Sequence, residues 1–195
     1  MSKCARRLAL AAALAVSVVL GTSAFGAECI GVKAPDNAKA GGSDLVLNGM
    51  GVRKATLLKV KVYVASLYLS ERSNDAGQIL GAGRPWQLVL HFVHDVGASD
   101  MHDAFDEGFE KTAGEKLAAF KPKIETLKSR MVDFEKGHDL SFTNDPAKGV
   151  AVDVNGVGGP EIEGADFAAA LLSIWIGAEP PNEDLKAGLL GAKCE

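Results

Sequence analysis

Arg53 and Tyr63 are the two side chains whose types and spacing best fit the binding of a small molecule. Arg53 follows a glycine-rich turn, and Tyr63 lies ten residues further on in a stretch with strand character. If the backbone between them stays extended, this even spacing places both side chains on one face. A guanidinium group matches the planar geometry of a carboxylate, and a phenol adds one more hydrogen-bond donor. We therefore predict a carboxylate site in an apolar cleft, the alternative being an arginine that faces water at the start of a strand.

Other kinds of site find little support in the sequence. His91 and His94 are three residues apart on a predicted strand, which points them to opposite faces, and no cluster of cysteines or carboxylates accompanies them. We therefore expect no metal site. The chain has no phosphate-binding loop, no dinucleotide-binding loop and no G-x-S-x-G elbow, so no cofactor is expected either.

The N-terminus has the pattern of a secretory signal. Residues 1–7 carry three basic side chains, residues 8–20 are apolar except for one serine, and small residues follow. We predict a signal peptide over residues 1–26, cleavage after Gly26 and a periplasmic location. The apolar run is too short to span a bilayer, so a retained membrane anchor is the weaker interpretation. A lipid-modified Cys29 is disfavoured because Glu28 stands where a small residue is needed.

Composition limits the class of protein that remains. The 195 residues are 47% hydrophobic and 24% charged with a net charge of −4, which excludes a disordered chain and disfavours nucleic-acid binding. Residues 1–26 hold three basic residues and no acid, so the mature chain, 27–195, has a net charge of −7 and the size of a single domain. It has no apolar stretch long enough to span a membrane. It keeps two cysteines near its ends, Cys29 and Cys194, and we infer a disulfide between them; two free thiols are the alternative.

The periodicity of the sequence predicts an α+β domain with a large antiparallel sheet and helices packed on one face. Residues 30–43 look turn-rich, and the glycines around Met50 suggest a turn or a bulge. Ser99 is expected to cap a helix with an apolar stripe from Met101 to Phe109. Strands are predicted at 44–48, 56–70, 86–96, 139–144 and 149–155, and further helices after residue 114, at 165–176 and at 182–190.

Three segments, taken in order, resemble one family. They are residues 47–53 leading into 61–69, residues 94–96 leading into the helix around 105–109, and residues 164–177 followed by 184–186 and 189–191. Together they resemble the chalcone isomerase-like family, in particular its exported bacterial branch, over about residues 30–191. The resemblance implies an open-faced β-sandwich, in which a large antiparallel sheet carries a layer of helices and a ligand cleft lies between them. It also implies that Arg53 lies in this cleft.

The resemblance suggests two roles for Arg53. In plant chalcone isomerases the corresponding arginine helps to stabilise a phenolate-type nucleophile during ring closure. In related fatty-acid-binding members it holds the ligand carboxylate, aided by a tyrosine on the next strand, close to the place of Tyr63. The isomerases also use a tyrosine and an asparagine on the helix, and a threonine or serine near the end of the last long helix. Here these positions hold Met101, Gly108 and Ile174, and Tyr63 replaces a strand threonine.

These replacements cannot supply the hydrogen bonds of an isomerase site. The sequence therefore favours an exported, non-catalytic protein that binds a small amphipathic carboxylate such as a fatty acid. Arg53 and Tyr63 would hold the acid group, and Met101, Phe105 and Trp175 would line the cleft. The alternatives are an intramolecular lyase of the chalcone isomerase type, and a structural or interaction protein whose cleft is filled by its own side chains.

Overall fold

The computed structural model describes residues 25–55, 58–81 and 83–195. Residues 1–24 of the predicted signal segment lie outside this part of the chain. Seven strands form one antiparallel sheet in which each strand pairs with the next along the chain. In chain order they are β3 (Asn37–Ala40), β4 (Ser43–Ala55), β5 (Val60–Leu69), β6 (Trp86–Phe92), β7 (Asp139–Asp145), β8 (Gly149–Val154) and β9 (Val157–Gly158). Before them in the chain, β1 (Phe25–Cys29) and β2 (Val32–Pro35) form a separate two-stranded hairpin.

Helices cover one face of the sheet and form the main core with it. α4 is the central helix: eight of its twelve residues are buried, as expected for a helix that is apolar on nearly all sides. Phe167 and Leu171 of α4 contact the same core as Leu90 and Phe142 of the sheet. The helices are α1 (Ala76–Gly81), α2 (Ala98–Thr112), α3 (Leu117–Lys128), α4 (Ala165–Ile176) and α5 (Glu183–Leu189). The predicted α+β sandwich of a large antiparallel sheet with a helical layer is confirmed.

A second, smaller core lies on the opposite face of the sheet, beneath the β1–β2 hairpin. It includes Leu45, Val52, Val64 and Tyr68. Because Val64 and Tyr68 alternate along β5 with residues of the main core, this strand is buried on both faces from Tyr63 to its end.

A disulfide between Cys29 and Cys194 joins the two ends of the described fold. Cys29 is the last residue of β1 and belongs to the smaller core, and its Cα lies 5.8 Å from that of Cys194. The predicted pairing is therefore present. It fixes the C-terminal segment to the hairpin that covers the outer face of the sheet.

Several predicted boundaries are wrong for a common reason: tertiary contacts replace the local signal. The glycines around Met50 do not form a turn. They lie within β4, where the pairing with β5 shifts register between Leu47 and Gly49, in agreement with the predicted bulge, and a Cβ on Gly51 would come 2.4 Å from the carbonyl oxygen of Leu185 in α5. Residues 30–43, expected to be turn-rich, contain the whole of β2 and β3. Ser99 is not the cap of α2, because the helix starts after Gly97 and the Asp133 carboxylate accepts a hydrogen bond from the Ala98 N–H at 2.8 Å.

β6 ends at Phe92, four residues before the predicted end at residue 96. His94 therefore follows the strand instead of belonging to it, and its backbone N–H donates to the carbonyl oxygen of Val62. Within the described residues no helix is long and apolar enough to cross a bilayer. The same part of the chain holds no group of three side chains suited to a metal ion.

Candidate functional site

A cleft of about 560 Å³ opens between the end of the β4–β5 hairpin and helices α2 and α4. Its walls are mainly apolar, with Val62 and Leu90 from the sheet on one side and helical side chains on the other. All five residues predicted to bind ligand line this one cleft: Arg53, Tyr63, Met101, Phe105 and Trp175. Their contact with a ligand stays a prediction, but the structure brings them together.

Arg53 and Tyr63 lie directly opposite each other on neighbouring antiparallel strands. Residues paired in this way place their side chains on the same face, with Cβ atoms about 5 Å apart. The even spacing in the sequence thus indicated the right face. The two side chains share a face because the residues pair across two strands, and not because they alternate along one strand. The chain reverses direction between them, and the register shifts after Arg53.

The Arg53 guanidinium has no acidic partner among the described residues. Its Nη1 donates to two backbone carbonyl oxygens, those of Lys54 and of Pro181, the latter at 3.3 Å. The side chain is only half-buried, and its charge is felt by Glu107. The pKa of Glu107 is lowered first by its hydrogen bond and ion pair with Lys111, and less by Arg53. Arg53 therefore presents a cation in the cleft whose remaining N–H donors can face a ligand.

The Tyr63 hydroxyl is buried and held by Trp175. The Trp175 Nε1–H donates to the Tyr63 oxygen at 2.9 Å. Burial raises the pKa of Tyr63 to about 12, although the Trp175 hydrogen bond and the Arg53 charge act in the opposite direction. Tyr63 therefore stays neutral at physiological pH. Its own proton has no acceptor within the described structure, so it can be donated to a ligand.

Aromatic and thioether side chains form the far wall of the cleft. The rings of Phe105 and Trp175 meet edge to face with their centroids 6.4 Å apart, and Phe142 packs behind Trp175 at 5.6 Å. Met101, one α-helical turn before Phe105, is 6% exposed. Such a wall can accommodate an alkyl or aryl group but offers it no polar contacts apart from the Trp175 N–H, which is already bound to Tyr63.

The two helix positions that differ most from an isomerase lie in direct contact. A Cβ on Gly108 of α2 would come within 2.8 Å of Ile174 Cδ1 on α4, so the isoleucine occupies the space beside the glycine. Neither side chain offers a hydrogen bond. In this part of the cleft, where a catalytic proton network would need donors and acceptors, two helices pack closely through apolar atoms.

Sequence reasoning missed the residues at the rim of the cleft. His94 and Asp95 follow β6, Lys111 lies in the last turn of α2, and Glu179 to Pro181 precede α5; all line the cleft. The sequence predicts His94 on a strand. In the structure β6 ends at Phe92, and His94 follows the strand and lines the cleft. The proline pair carries no sequence signal for its role, because it acts through the backbone carbonyl oxygen of Pro181.

Another hollow, of about 700 Å³, lies beside Asn48 and Arg72 on the other side of the molecule. Asn48 and Arg72 already have partners in the protein. The Asn48 amide donates to the carbonyl oxygens of Ser73 and Leu189 at 3.0 and 2.7 Å, and Arg72 Nε donates to the carbonyl oxygen of Leu47 at 2.9 Å. These bonds hold the loop after β5 to β4 and leave the Arg53 cleft as the candidate site.

Comparison with known proteins agrees with this description. A family model described as chalcone isomerase-like matches residues 26–191. No curated protein matches the sequence. Among 38 matching chains of solved structures is a fatty-acid-binding protein of Arabidopsis thaliana, with a TM-score of 0.63 and 16% identity over 83% of this chain and 92% of that one. At this identity the structural similarity shows a shared fold only. Because the family model covers most of the sequence, the chain belongs to the chalcone isomerase-like family.

Proposed function

We propose that this chain is an exported, non-catalytic binding protein for a small amphipathic carboxylate such as a fatty acid. The observation that carries the proposal is the Arg53 guanidinium, which has no carboxylate partner in the described structure and lies opposite a neutral tyrosine in an apolar cleft. A partly buried cation that forms no ion pair favours an anionic ligand, because each charge-assisted hydrogen bond contributes about 1.5–3 kcal/mol.

The cleft also has a place for the rest of such a ligand. A carboxylate at Arg53 and Tyr63 leaves its alkyl chain against the wall of Met101, Phe105 and Trp175. Each methylene removed from water contributes about 0.8 kcal/mol. The fatty-acid-binding protein of Arabidopsis thaliana with the same fold supports this choice of ligand class.

The alternatives fit the geometry less well. An isomerase needs positioned polar groups, whereas Gly108 and Ile174 fill that region with apolar contact. A structural protein with a filled cleft is disfavoured by the open volume of about 560 Å³.

Export is supported by the signal pattern of residues 1–26 and by the disulfide between Cys29 and Cys194, since such bonds persist in oxidising compartments. We expect the mature protein, purified from the periplasm, to begin at Ala27. Intact-mass measurement of periplasmic and cytoplasmic fractions tests this. A full-length chain confined to the cytoplasm contradicts export without affecting the binding proposal.

The binding proposal is tested by titrating delipidated mature protein with hexadecanoate in a calorimeter. We expect Arg53→Gln to weaken binding about 10- to 100-fold, because it removes the charged donor. Arg84→Gln is the matched control, since Arg84 is exposed, lies outside the cleft and pairs with Glu71. The methyl ester of the same acid should bind wild type as weakly as hexadecanoate binds Arg53→Gln.

Two results contradict the proposal. One is equal affinity of wild type and Arg53→Gln for hexadecanoate. The other is cyclisation of an added chalcone by wild type, faster than in buffer and abolished in Arg53→Gln, which would establish the lyase instead.

A further inference from the structure

The tip of the β4–β5 hairpin exposes a large apolar side chain. Leu58 is 87% exposed, more than any other large hydrophobic residue in the described part of the chain. The next most exposed is Val157 at 63%, in the short β9 strand at the opposite edge of the sheet. A leucine so fully exposed contributes nothing to the core and gains free energy when another apolar phase covers it.

Two lysines follow Leu58 on the same hairpin. Lys59 and Lys61 are exposed, and neither forms an ion pair with a described residue. Other lysines, such as Lys54 with Asp184 at 3.1 Å and Lys128 with Asp106 at 2.6 Å, do form ion pairs. The tip therefore combines an exposed apolar side chain with two uncompensated positive charges, in a chain whose net charge is −4.

The tip borders the opening of the cleft. Ala55 and Val60 form the last residue pair of the hairpin before its turn, and both line the cleft. Arg53 lies two residues before Ala55 on the same strand. A surface that covers Leu58 would therefore lie next to the route by which a ligand reaches Arg53.

We propose that Leu58, Lys59 and Lys61 dock this protein on an anionic phospholipid bilayer, with the cleft opening toward the lipid. Exposed lysines are attracted to anionic headgroups, and the leucine enters the boundary between headgroups and acyl chains. The chain has a net charge of −4, and carboxylates such as Glu107 and Glu179 line the cleft itself, so the tip lysines supply the attraction that this face of the protein needs to approach an anionic surface. That the docked protein exchanges a fatty acid with the bilayer rests on the proposed function.

Flotation with vesicles tests the docking directly. Mature protein is mixed with vesicles of 70% phosphatidylcholine and 30% phosphatidylglycerol, and the floated fraction is measured. We expect Leu58→Gln to lower the partition coefficient about tenfold, and Lys59→Gln with Lys61→Gln to lower it by at least as much. Higher salt should weaken wild-type binding, and vesicles of phosphatidylcholine alone should bind it poorly. Val157→Gln is the matched control and should float like wild type.

The outcomes separate docking from ligand binding. Calorimetry with hexadecanoate in the absence of vesicles should give the same affinity for Leu58→Gln and wild type within about twofold, and an unchanged unfolding midpoint shows that the variant is folded. Absence of wild-type flotation, as expected if the tip binds a protein instead, overturns the docking even if hexadecanoate binds. Equal flotation of Leu58→Gln and Val157→Gln overturns it too. Tip-dependent flotation without hexadecanoate binding supports the docking and contradicts the proposed function alone.

Discussion

Trp175 determines what the Tyr63 hydroxyl can do in the cleft. An indole N–H can only donate, so the 2.9 Å bond from Trp175 occupies an acceptor position of the Tyr63 oxygen and leaves its proton available. Arg53 likewise only donates. At Arg53 and Tyr63 the cleft thus offers only donors, which under the proposed function favours a ligand group that accepts hydrogen bonds, such as a carboxylate.

Tyr63→Phe tests this contribution separately from the charge of Arg53. The variant removes the donor from the cleft and leaves the buried Trp175 N–H without an acceptor, so we expect hexadecanoate affinity to fall about tenfold and the free energy of unfolding to fall by about 1–3 kcal/mol. Tyr68→Phe is the control, because Tyr68 belongs to the smaller core on the other face of the sheet. Calorimetry and urea unfolding measure the two effects. Equal ligand affinity in both variants would assign Tyr63 a structural role only.

The raised pKa of Tyr63 predicts how stability changes with alkaline pH. A phenol ionises near pH 10 in the unfolded chain, whereas burial raises the pKa of Tyr63 to about 12 in the folded one. Between these values the unfolded state loses a proton that the folded state keeps, so the free energy of unfolding falls as pH rises from 10 to 12. The contribution of Tyr63 is about 2–3 kcal/mol. Urea unfolding at several pH values should show a shallower decline for Tyr63→Phe; parallel curves for the variant and wild type contradict the assignment.

The residues that sequence reasoning could and could not identify differ in how they act. Arg53 and Tyr63 were identifiable from their residue types, a guanidinium and a phenol beside an apolar strand, although they share a face because they pair across β4 and β5 and not because of their even spacing. Pro181 was not, since a backbone carbonyl oxygen leaves no trace in the residue type. The contact between Gly108 and Ile174 was equally hidden, because it depends on how closely two helices approach.

At the scale of elements, α5 is pressed against β4 through their backbones. A Cβ on Gly49 would come 2.2 Å from the carbonyl oxygen of Gly188, and one on Gly188 would come 2.3 Å from that of Met50. Only glycine permits such an approach of two main chains. Because α5 follows Pro181, whose carbonyl oxygen accepts from Arg53, this contact also fixes one side of the cleft opening.

Gly51→Ala tests the contact between α5 and β4. The new Cβ would lie 2.4 Å from the carbonyl oxygen of Leu185, a backbone atom that moves only if the helix moves. We expect the free energy of unfolding to fall by about 3 kcal/mol and hexadecanoate affinity to fall with it. Gly81→Ala is the control: no atom lies within 4 Å of its added Cβ, and it ends helix α1, so its effect should be within about 1 kcal/mol. Equal stability of the two variants would contradict the close packing.

Elements were predictable where the pattern was strong and local. α4 has the predicted bounds, because its apolar run lies between Gly164 and Gly177. β2 and β3 were missed since they are only four residues long and rich in polar and turn-forming residues. They become strands by forming tight antiparallel hairpins with their neighbours β1 and β4, a pairing that their own residue types do not indicate.

For the whole molecule, the sheet separates two hydrophobic cores, of which only one borders the cleft. The main core supplies the walls of the cleft, whereas the smaller core beneath the β1–β2 hairpin contains none of the residues that line it. The disulfide between Cys29 and Cys194 belongs to the side of the smaller core. Stability and ligand binding should therefore respond differently to its loss.

Replacing both cysteines by serine is expected to lower stability and leave the ligand affinity intact. The bond closes a loop with a sequence separation of 165, for which the chain-entropy model gives about 5 kcal/mol. Urea unfolding of the double variant, and of wild type with and without reductant, measures this loss. Hexadecanoate affinity should stay within about twofold, because Leu185 and Leu189 of α5 are fully buried in the main core and hold the helix without the bond. If affinity instead falls in proportion to stability, the C-terminal segment transmits the hairpin's constraint through α5 to Pro181 and Arg53, and the two faces of the sheet are not independent.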